Sequence, residues 1–134
     1  MQNFKLNKQD ILTNQDWTFP TNVAYGPGRL KEIGKICNNE KIENPLIVTD
    51  SGSAKLPFIK NLQEYLASSN VKSNLFYDIS PNPREDEVSA GCKRYKDGNH
   101  DAIIAIGGGS AMDGGKLICL TANNDVPLRD CEFE

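Results

Sequence analysis

Three consecutive glycines and a serine, at positions 107–110, are the residues of this sequence best suited to bind a ligand. They follow an apolar run at 101–106 and precede a stretch of helical pattern, so they join a strand to a helix. Glycines let the backbone turn tightly and let a ligand approach without a clash with a Cβ atom. The N–H groups that open a helix lack intrahelical partners and lie at the positive end of the helix dipole. The pattern therefore predicts an anion site, with phosphate as the expected anion.

The residues after the glycines bear on this prediction. Ser110 stands at the expected N-cap of the helix, where its hydroxyl can bond either the helix or a phosphate oxygen. Asp113 and Lys116 could simply pair on the helix surface, and the glycines could serve only the geometry of a tight turn. The Ser-x-x-Asp-x-x-Lys continuation between a strand and a helix favours a ligand. Neither Gly-x-Gly-x-x-Gly nor Gly-Lys-Ser/Thr is present, which disfavours Walker-type ATP hydrolysis.

Asp50 is the second candidate, because it ends the apolar run at 45–50. An acidic side chain at the carboxyl end of a strand can accept hydrogen bonds from a ribose 2′-OH and would repel a 2′-phosphate. It could equally cap the next helix together with Ser51 and Ser53. Its position, one strand–helix–strand unit from the glycines, favours the ribose, and hence NAD over NADP.

Asn82 is the third candidate. Pro81 and Pro83 fix the backbone on either side and hold the amide rigidly after the second strand. Spacing alone favours a loop that merely ends the strand, and contact with a ligand is the alternative.

Alternating strand and helix patterns would bring these residues together. Strands are expected at 45–50, 74–77 and 101–106, helices at 30–39, 56–66, 88–97 and 111–122, and two short strands at 17–25. Parallel neighbours need a crossover helix. The alternation therefore predicts an α/β fold, doubly wound around a mostly parallel sheet with helices on both faces.

The 134 residues, 38% hydrophobic and 25% charged, have the length and composition of one globular domain. The net charge is −3. The sequence has no basic block and no aromatic platform, so no nucleic-acid partner is predicted.

No apolar run is long enough to span a bilayer, so no membrane partner is expected. The polar N-terminus lacks the pattern of a signal peptide, which makes the cytoplasm the expected location.

Four cysteines and one histidine limit the metal chemistry that the sequence can support. Cys37, Cys92 and Cys119 fall on the expected apolar faces of helices, so buried thiols are predicted there. No CxxC pair occurs. Because His100 is the single histidine, this sequence cannot build a metal site with three histidine ligands.

Taken in order, these segments resemble the iron-containing (group III) alcohol dehydrogenase family. The resemblance covers almost the whole chain from Trp17 onward, and its most specific element is Gly-Gly-Gly-Ser-x-x-Asp-x-x-Lys at 107–116. Weaker matches are Phe19-Pro20, Tyr25-Gly26-Pro27-Gly28, Val48-Thr49-Asp50, Pro81-Asn82-Pro83 and Pro127-Leu128-Arg129-Asp130. The related dehydroquinate synthases rank second, since they usually lack the serine and the lysine.

The resemblance implies a Rossmann-like N-terminal domain that binds NAD(P) within a two-domain oxidoreductase. That family transfers a hydride between NAD(P) and an alcohol or aldehyde. Divalent iron, held by one aspartate and three histidines in a C-terminal helical domain, polarises the substrate oxygen. In this chain the cofactor contacts would be Asp50, Asn82, Gly107, Gly108, Gly109, Ser110, Ala111, Met112, Asp113 and Lys116.

Residues 17–134 are therefore expected to form an incomplete cofactor domain behind a tail at 1–16, without the iron-binding domain. No catalytic or metal-binding residue is expected among them, and the chemistry is assigned to a longer protein. The alternatives are a stand-alone nucleotide-binding module and a relative of dehydroquinate synthase or glycerol dehydrogenase. A homodimer or a larger homo-oligomer is compatible with the family.

Overall fold

The computed structural model describes residues 24–124. A 3₁₀ turn, Arg29–Glu32, leads directly into the first α-helix. The helices are α1 (Ile33–Asn39), α2 (Pro57–Ser68), α3 (Glu85–Asp97) and α4 (Gly109–Asn124), and the strands are β1 (Pro45–Val48), β2 (Asn74–Phe76) and β3 (Ala102–Ala105). The strand pair expected at 17–25 lies almost wholly outside the described residues.

The three strands form one parallel sheet in the order β2-β1-β3. The chain passes from the central strand β1 to one edge and then crosses back to the other edge. In the β1–β3 pair Val48 lies opposite Ala105, and the Ile106 N–H donates to the Val48 carbonyl at 3.0 Å. The strand order therefore reverses between β1 and β3, where α/β sheets of this kind open a crevice at their carboxyl ends.

Helices cover both faces of this sheet, as the sequence pattern predicts. On one face α3 and α4 pack on Leu46 and Val48, with Val88 and Ile118 as fully buried partners. On the other face α1 and α2 pack on Ile47. Since β1 contributes side chains to both cores, it is buried on both faces, which explains its continuous apolar run.

Glycines set how closely α4 approaches the sheet and α3. A Cβ atom on Gly115 would lie 2.6 Å from the Cβ of Ala105, and one on Gly91 would lie 2.3 Å from the Cδ1 of Ile118. Both distances are shorter than two carbon atoms tolerate: a Cβ at position 91 would displace the Ile118 side chain, whereas the atom met at position 115 is fixed to a strand backbone and requires glycine. The close packing fixes the axis of α4, and therefore the place of its N-terminus.

The predicted strands and helices of the described residues are confirmed, with corrections to the burial of one cysteine and to the starts of two helices, of which α3 begins at Glu85 rather than at 88. Cys37 and Cys92 are buried as expected, but Cys119 is exposed. Four consecutive apolar residues at 117–120 cannot all face one core, and Cys119 is the one turned outward. Helix α4 also begins at Gly109, before its expected start at 111. Within residues 24–124, no helix is both long and apolar enough to cross a membrane.

Candidate nucleotide-binding site

The glycine loop at 107–109 and the residues after β1 meet at the point where the strand order reverses. A Cβ atom on Gly107 would lie 3.0 Å from Asp50 Oδ2 and 3.2 Å from Thr49 Oγ1. Gly107 has a φ of 135°, a backbone conformation that residues with a side chain rarely adopt. Two predicted site residues, Asp50 and Gly107, therefore lie against each other, and only glycine fits between Asp50 and the helix.

Gly108 and Gly109 face open space. Both are exposed, and a Cβ atom on either would have no atom of the described residues within 4 Å apart from its immediate neighbours in the chain and helix. The packing of this chain therefore does not explain why side chains are absent at these two positions. Glycines here leave the backbone of the loop open to close approach from outside.

The first hydrogen bond of α4 runs from the Met112 N–H to the Gly108 carbonyl, at 3.1 Å. Gly108 is therefore the N-cap, and the prediction that Ser110 is the N-cap is wrong by two residues. The N–H groups of Gly109, Ser110 and Ala111 precede that first bond and lie outside the helical ladder. They belong to a helix of 16 residues, whose dipole adds positive potential at this end.

Asp50 caps the turn that follows β1. Its Oδ1 accepts a hydrogen bond from the Ser53 N–H and its Oδ2 accepts one from the Ser53 hydroxyl, both at 2.8 Å. Partial burial is the largest single effect and acts to raise the pKa of the Asp50 carboxyl, but the hydrogen bonds from Ser53 and from the backbone N–H groups of Asp50 and Gly52 together outweigh it, and the pKa lies below its ordinary value. An ionised carboxylate has about four acceptor positions, so the cap leaves capacity for a ribose hydroxyl.

The predicted contact residues on helix α4 differ in their exposure to solvent. Ala111 is fully buried, so only its backbone can reach a ligand. Met112, Asp113 and Lys116 are exposed. In the part of the chain that the structure describes, no ion pair joins Asp113 to Lys116, so the surface pairing considered from the sequence is not formed.

Asn82 lies apart from the glycine loop. It follows β2, which is separated from β3 by the central strand β1. Its carbonyl accepts a hydrogen bond from the Ser80 hydroxyl at 2.9 Å, and the residue is exposed. The Ser80 N–H donates to Glu87 of α3 at 3.2 Å, which ties this loop to the helix. A ligand at the glycine loop would have to extend across the end of β1 to reach Asn82.

Thr49 is the one residue of this site that the sequence patterns do not single out as a candidate. It is fully buried, and its hydroxyl has no hydrogen-bond partner within the described residues. The only available signal is a hydroxyl residue that interrupts an apolar run just before Asp50. That signal is weak, because threonine is common in strands.

His100 lies at the opposite end of the sheet, between α3 and β3. Its Nδ1 is 2.9 Å from the Asn44 carbonyl, which places Asn44, and with it the start of β1, beside the start of β3. Asp101 reinforces this junction by accepting the Asn44 N–H at 3.0 Å. Within residues 24–124 no three His, Cys, Asp or Glu side chains converge on one point, so these residues do not fit an iron site.

Comparison with known proteins shows the family and the fold of this chain. The family model described as "Iron-containing alcohol dehydrogenase" matches residues 20–133. Alcohol dehydrogenase 4 of Saccharomyces cerevisiae is 34% identical over 108 residues, which are 81% of this chain and 28% of the yeast protein. The chain thus spans less than a third of that relative.

Two solved structures share the fold. Sulfoacetaldehyde reductase from Bifidobacterium kashiwanohense, solved in complex with NAD+, has a TM-score of 0.79 and 27% identity over 88% of this chain and 31% of that chain. Butanol dehydrogenase A from Thermotoga maritima has a TM-score of 0.79 and 24% identity, over 87% of this chain and 30% of that one. Because the family model matches most of the chain, this protein belongs to the iron-containing alcohol dehydrogenase family.

Proposed function

We propose that this chain is the NAD-binding part of an oxidoreductase that transfers a hydride between NAD and an alcohol or aldehyde. The observation that carries the proposal is the open glycine loop. Gly108 and Gly109 face empty space at the N-terminus of a long helix, and Gly107 brings that loop against Asp50. A dinucleotide offers the two groups that this arrangement suits, a pyrophosphate and a ribose diol.

The chain's own residues would bind and orient the cofactor. The N–H groups of Gly109, Ser110 and Ala111, outside the helical ladder, would donate to the pyrophosphate oxygens, and the Ser110 hydroxyl could add a further bond. Asp50, held by Ser53, would accept from the adenosine ribose and disfavour a 2′-phosphate. When NAD+ is bound, its nicotinamide ring supplies the hydride acceptor.

The remaining predicted contacts extend the site in two directions. Met112, Asp113 and Lys116 lie on the exposed part of α4, and Asn82 lies beyond β1. We propose these as peripheral contacts, because each needs a ligand that spreads from the glycine loop along the carboxyl edge of the sheet.

We assign iron to none of the residues 24–124 that the structure describes. The described side chains do not converge on a metal position, and the single histidine is at the far end of the sheet. We therefore propose that the group that polarises the substrate oxygen belongs to a longer protein, and that this chain alone binds cofactor without turning over alcohol.

Gly109→Ala tests the NAD site directly. The new methyl would enter open space, so the variant should fold normally, yet the methyl would occupy the position from which a phosphate approaches. We expect NAD+ to shift the backbone amide resonances of residues 107–111 in the unchanged chain. In the variant, the dissociation constant for NAD+ should rise about tenfold, the loss of roughly 1.4 kcal/mol of binding.

Lys72→Ala is the matched control, because Lys72 is exposed and precedes β2 at the opposite end of the sheet. It should bind NAD+ as the unchanged chain does. If Gly109→Ala folds and binds NAD+ with unchanged affinity, or if NAD+ shifts no amide of the glycine loop, the proposed site is wrong.

A further inference from the structure

We propose that the Thr49 hydroxyl positions the glycine loop when NAD binds, by forming a hydrogen bond to the Gly107 main chain that the empty chain lacks. This inference rests on the proposed function and adds a specific residue to it. Thr49 would act through the loop rather than by touching the cofactor, because its hydroxyl oxygen is sealed from solvent.

The first supporting observation is an unused hydrogen-bonding group. Thr49 is fully buried at the end of β1, and its Oγ1 has no partner within the described residues. Its backbone is held, since the Thr49 N–H donates to the Phe76 carbonyl at 3.0 Å. A buried hydroxyl without a partner is unfavourable, so a state in which it gains one is favoured by comparison.

The second observation is where this hydroxyl lies. The Cβ position of Gly107 is 3.2 Å from Thr49 Oγ1, so the hydroxyl is directly against the first residue of the glycine loop. A hydroxyl has one donor and two acceptor positions, so it can bond a carbonyl or an N–H group of the loop that turns toward it. Gly107 has no side chain to restrict such a turn, and its φ of 135° is already one that residues with a Cβ atom rarely adopt.

The proposed sequence of events follows from these two facts. A phosphate that accepts from the N–H groups of residues 109–111 pulls on the loop just upstream of them. The Gly107 peptide then turns its carbonyl toward Thr49, and the hydroxyl donates to it. The hydrogen bond exists only in the bound state, so its free energy contributes to NAD affinity rather than to the stability of the empty chain.

Thr121 provides an internal control. Its hydroxyl is also buried and without a partner in the described part of the chain. It lies on α4, twelve residues beyond the helix start at Gly109 and therefore about 18 Å along the helix axis. The same substitution at Thr121 removes an equivalent group without approaching the glycine loop.

The experiment measures NAD+ dissociation constants and melting temperatures for the 134-residue chain and three variants. Thr49→Val replaces only the hydroxyl with a methyl and should raise the dissociation constant at least fivefold. Thr49→Ser keeps the hydroxyl, and Thr121→Val is the control; both should bind within twofold of the unchanged chain. The melting temperatures of the two valine variants should be equal to that of the unchanged chain or higher, since each loses an unpaired buried hydroxyl.

Each outcome decides a different point. If the unchanged chain binds NAD+ and Thr49→Val binds it equally well, this inference is overturned while the proposed function stands. If Thr49→Val fails to fold or melts lower while Thr121→Val does not, the hydroxyl serves the empty chain, which also overturns the inference. If the unchanged chain binds no NAD+, the proposed function fails and this inference fails with it.

Discussion

At the residue scale, Asp50 caps the turn after β1, and a substitution can separate this cap from the proposed role in binding ribose. Asp50→Asn keeps an oxygen that can accept the Ser53 N–H but removes the negative charge. We expect NADP+ binding to strengthen by about tenfold relative to NAD+, because the 2′-phosphate no longer meets an anion a few ångströms away. Titrations of the variant with each cofactor measure this ratio.

Ser53→Ala is the control at this site, since it weakens the cap and leaves the charge in place. It should keep the preference for NAD+. If Asp50→Asn leaves the ratio of the two dissociation constants unchanged, Asp50 is only a cap and takes no part in cofactor selection.

Helix α4 is the element on which the site depends, and its distance from β3 is set by Gly115. In Gly115→Ala the new methyl would lie 2.6 Å from the Cβ of Ala105, an atom fixed to a strand backbone. We expect this variant to be less stable than Gly109→Ala by about 1–3 kcal/mol, the usual cost of overpacking. Replacing glycine with alanine also raises the helix propensity. Both variants make this replacement in α4, so the gain largely cancels when their stabilities are compared.

Urea denaturation of both variants measures that difference. The double variant Gly115→Ala with Ala105→Gly should recover much of the loss, because it restores the space between helix and strand. Equal midpoints for Gly115→Ala and Gly109→Ala would show that α4 can move away from β3 without cost, and that the glycine does not fix its position.

The sequence predicts the strands and helices well, but it fails for two kinds of residue. Alternating patterns identify the strands and helices of the described residues, because each is a local property of the chain. Sheet order is not local, and the contact between Asp50 and Gly107 depends on β1 and β3 being neighbours. The prediction that Cys119 is buried is wrong for a related reason, since a continuous apolar run does not indicate which side of the helix faces the core.

Residues beside the candidate site with ordinary strand propensities are the second kind of position that escapes sequence patterns. Thr49 is a common strand residue, and only the absence of a partner for its buried hydroxyl sets it apart. Glycines are the opposite case. Gly108 and Gly109 stand out in the sequence, and the structure shows that packing does not require them.

At the scale of the whole molecule, we propose that this chain binds the cofactor and that the group that activates the alcohol lies elsewhere. Hydride transfer from an alcohol needs a group that stabilises the developing negative charge on oxygen, as a metal ion does. The single histidine is buried at the amino end of the sheet, and among the described residues no cluster of side chains could hold such a metal ion.

The 134-residue chain, supplied with NAD+, ferrous iron and short alcohols, should therefore form no NADH above the rate seen without protein. A full-length iron-containing alcohol dehydrogenase assayed in parallel shows that the conditions support the reaction. NADH formation that rises with the concentration of the chain and disappears in Gly109→Ala would show that catalysis does reside in these residues, and that the division of roles proposed here is wrong.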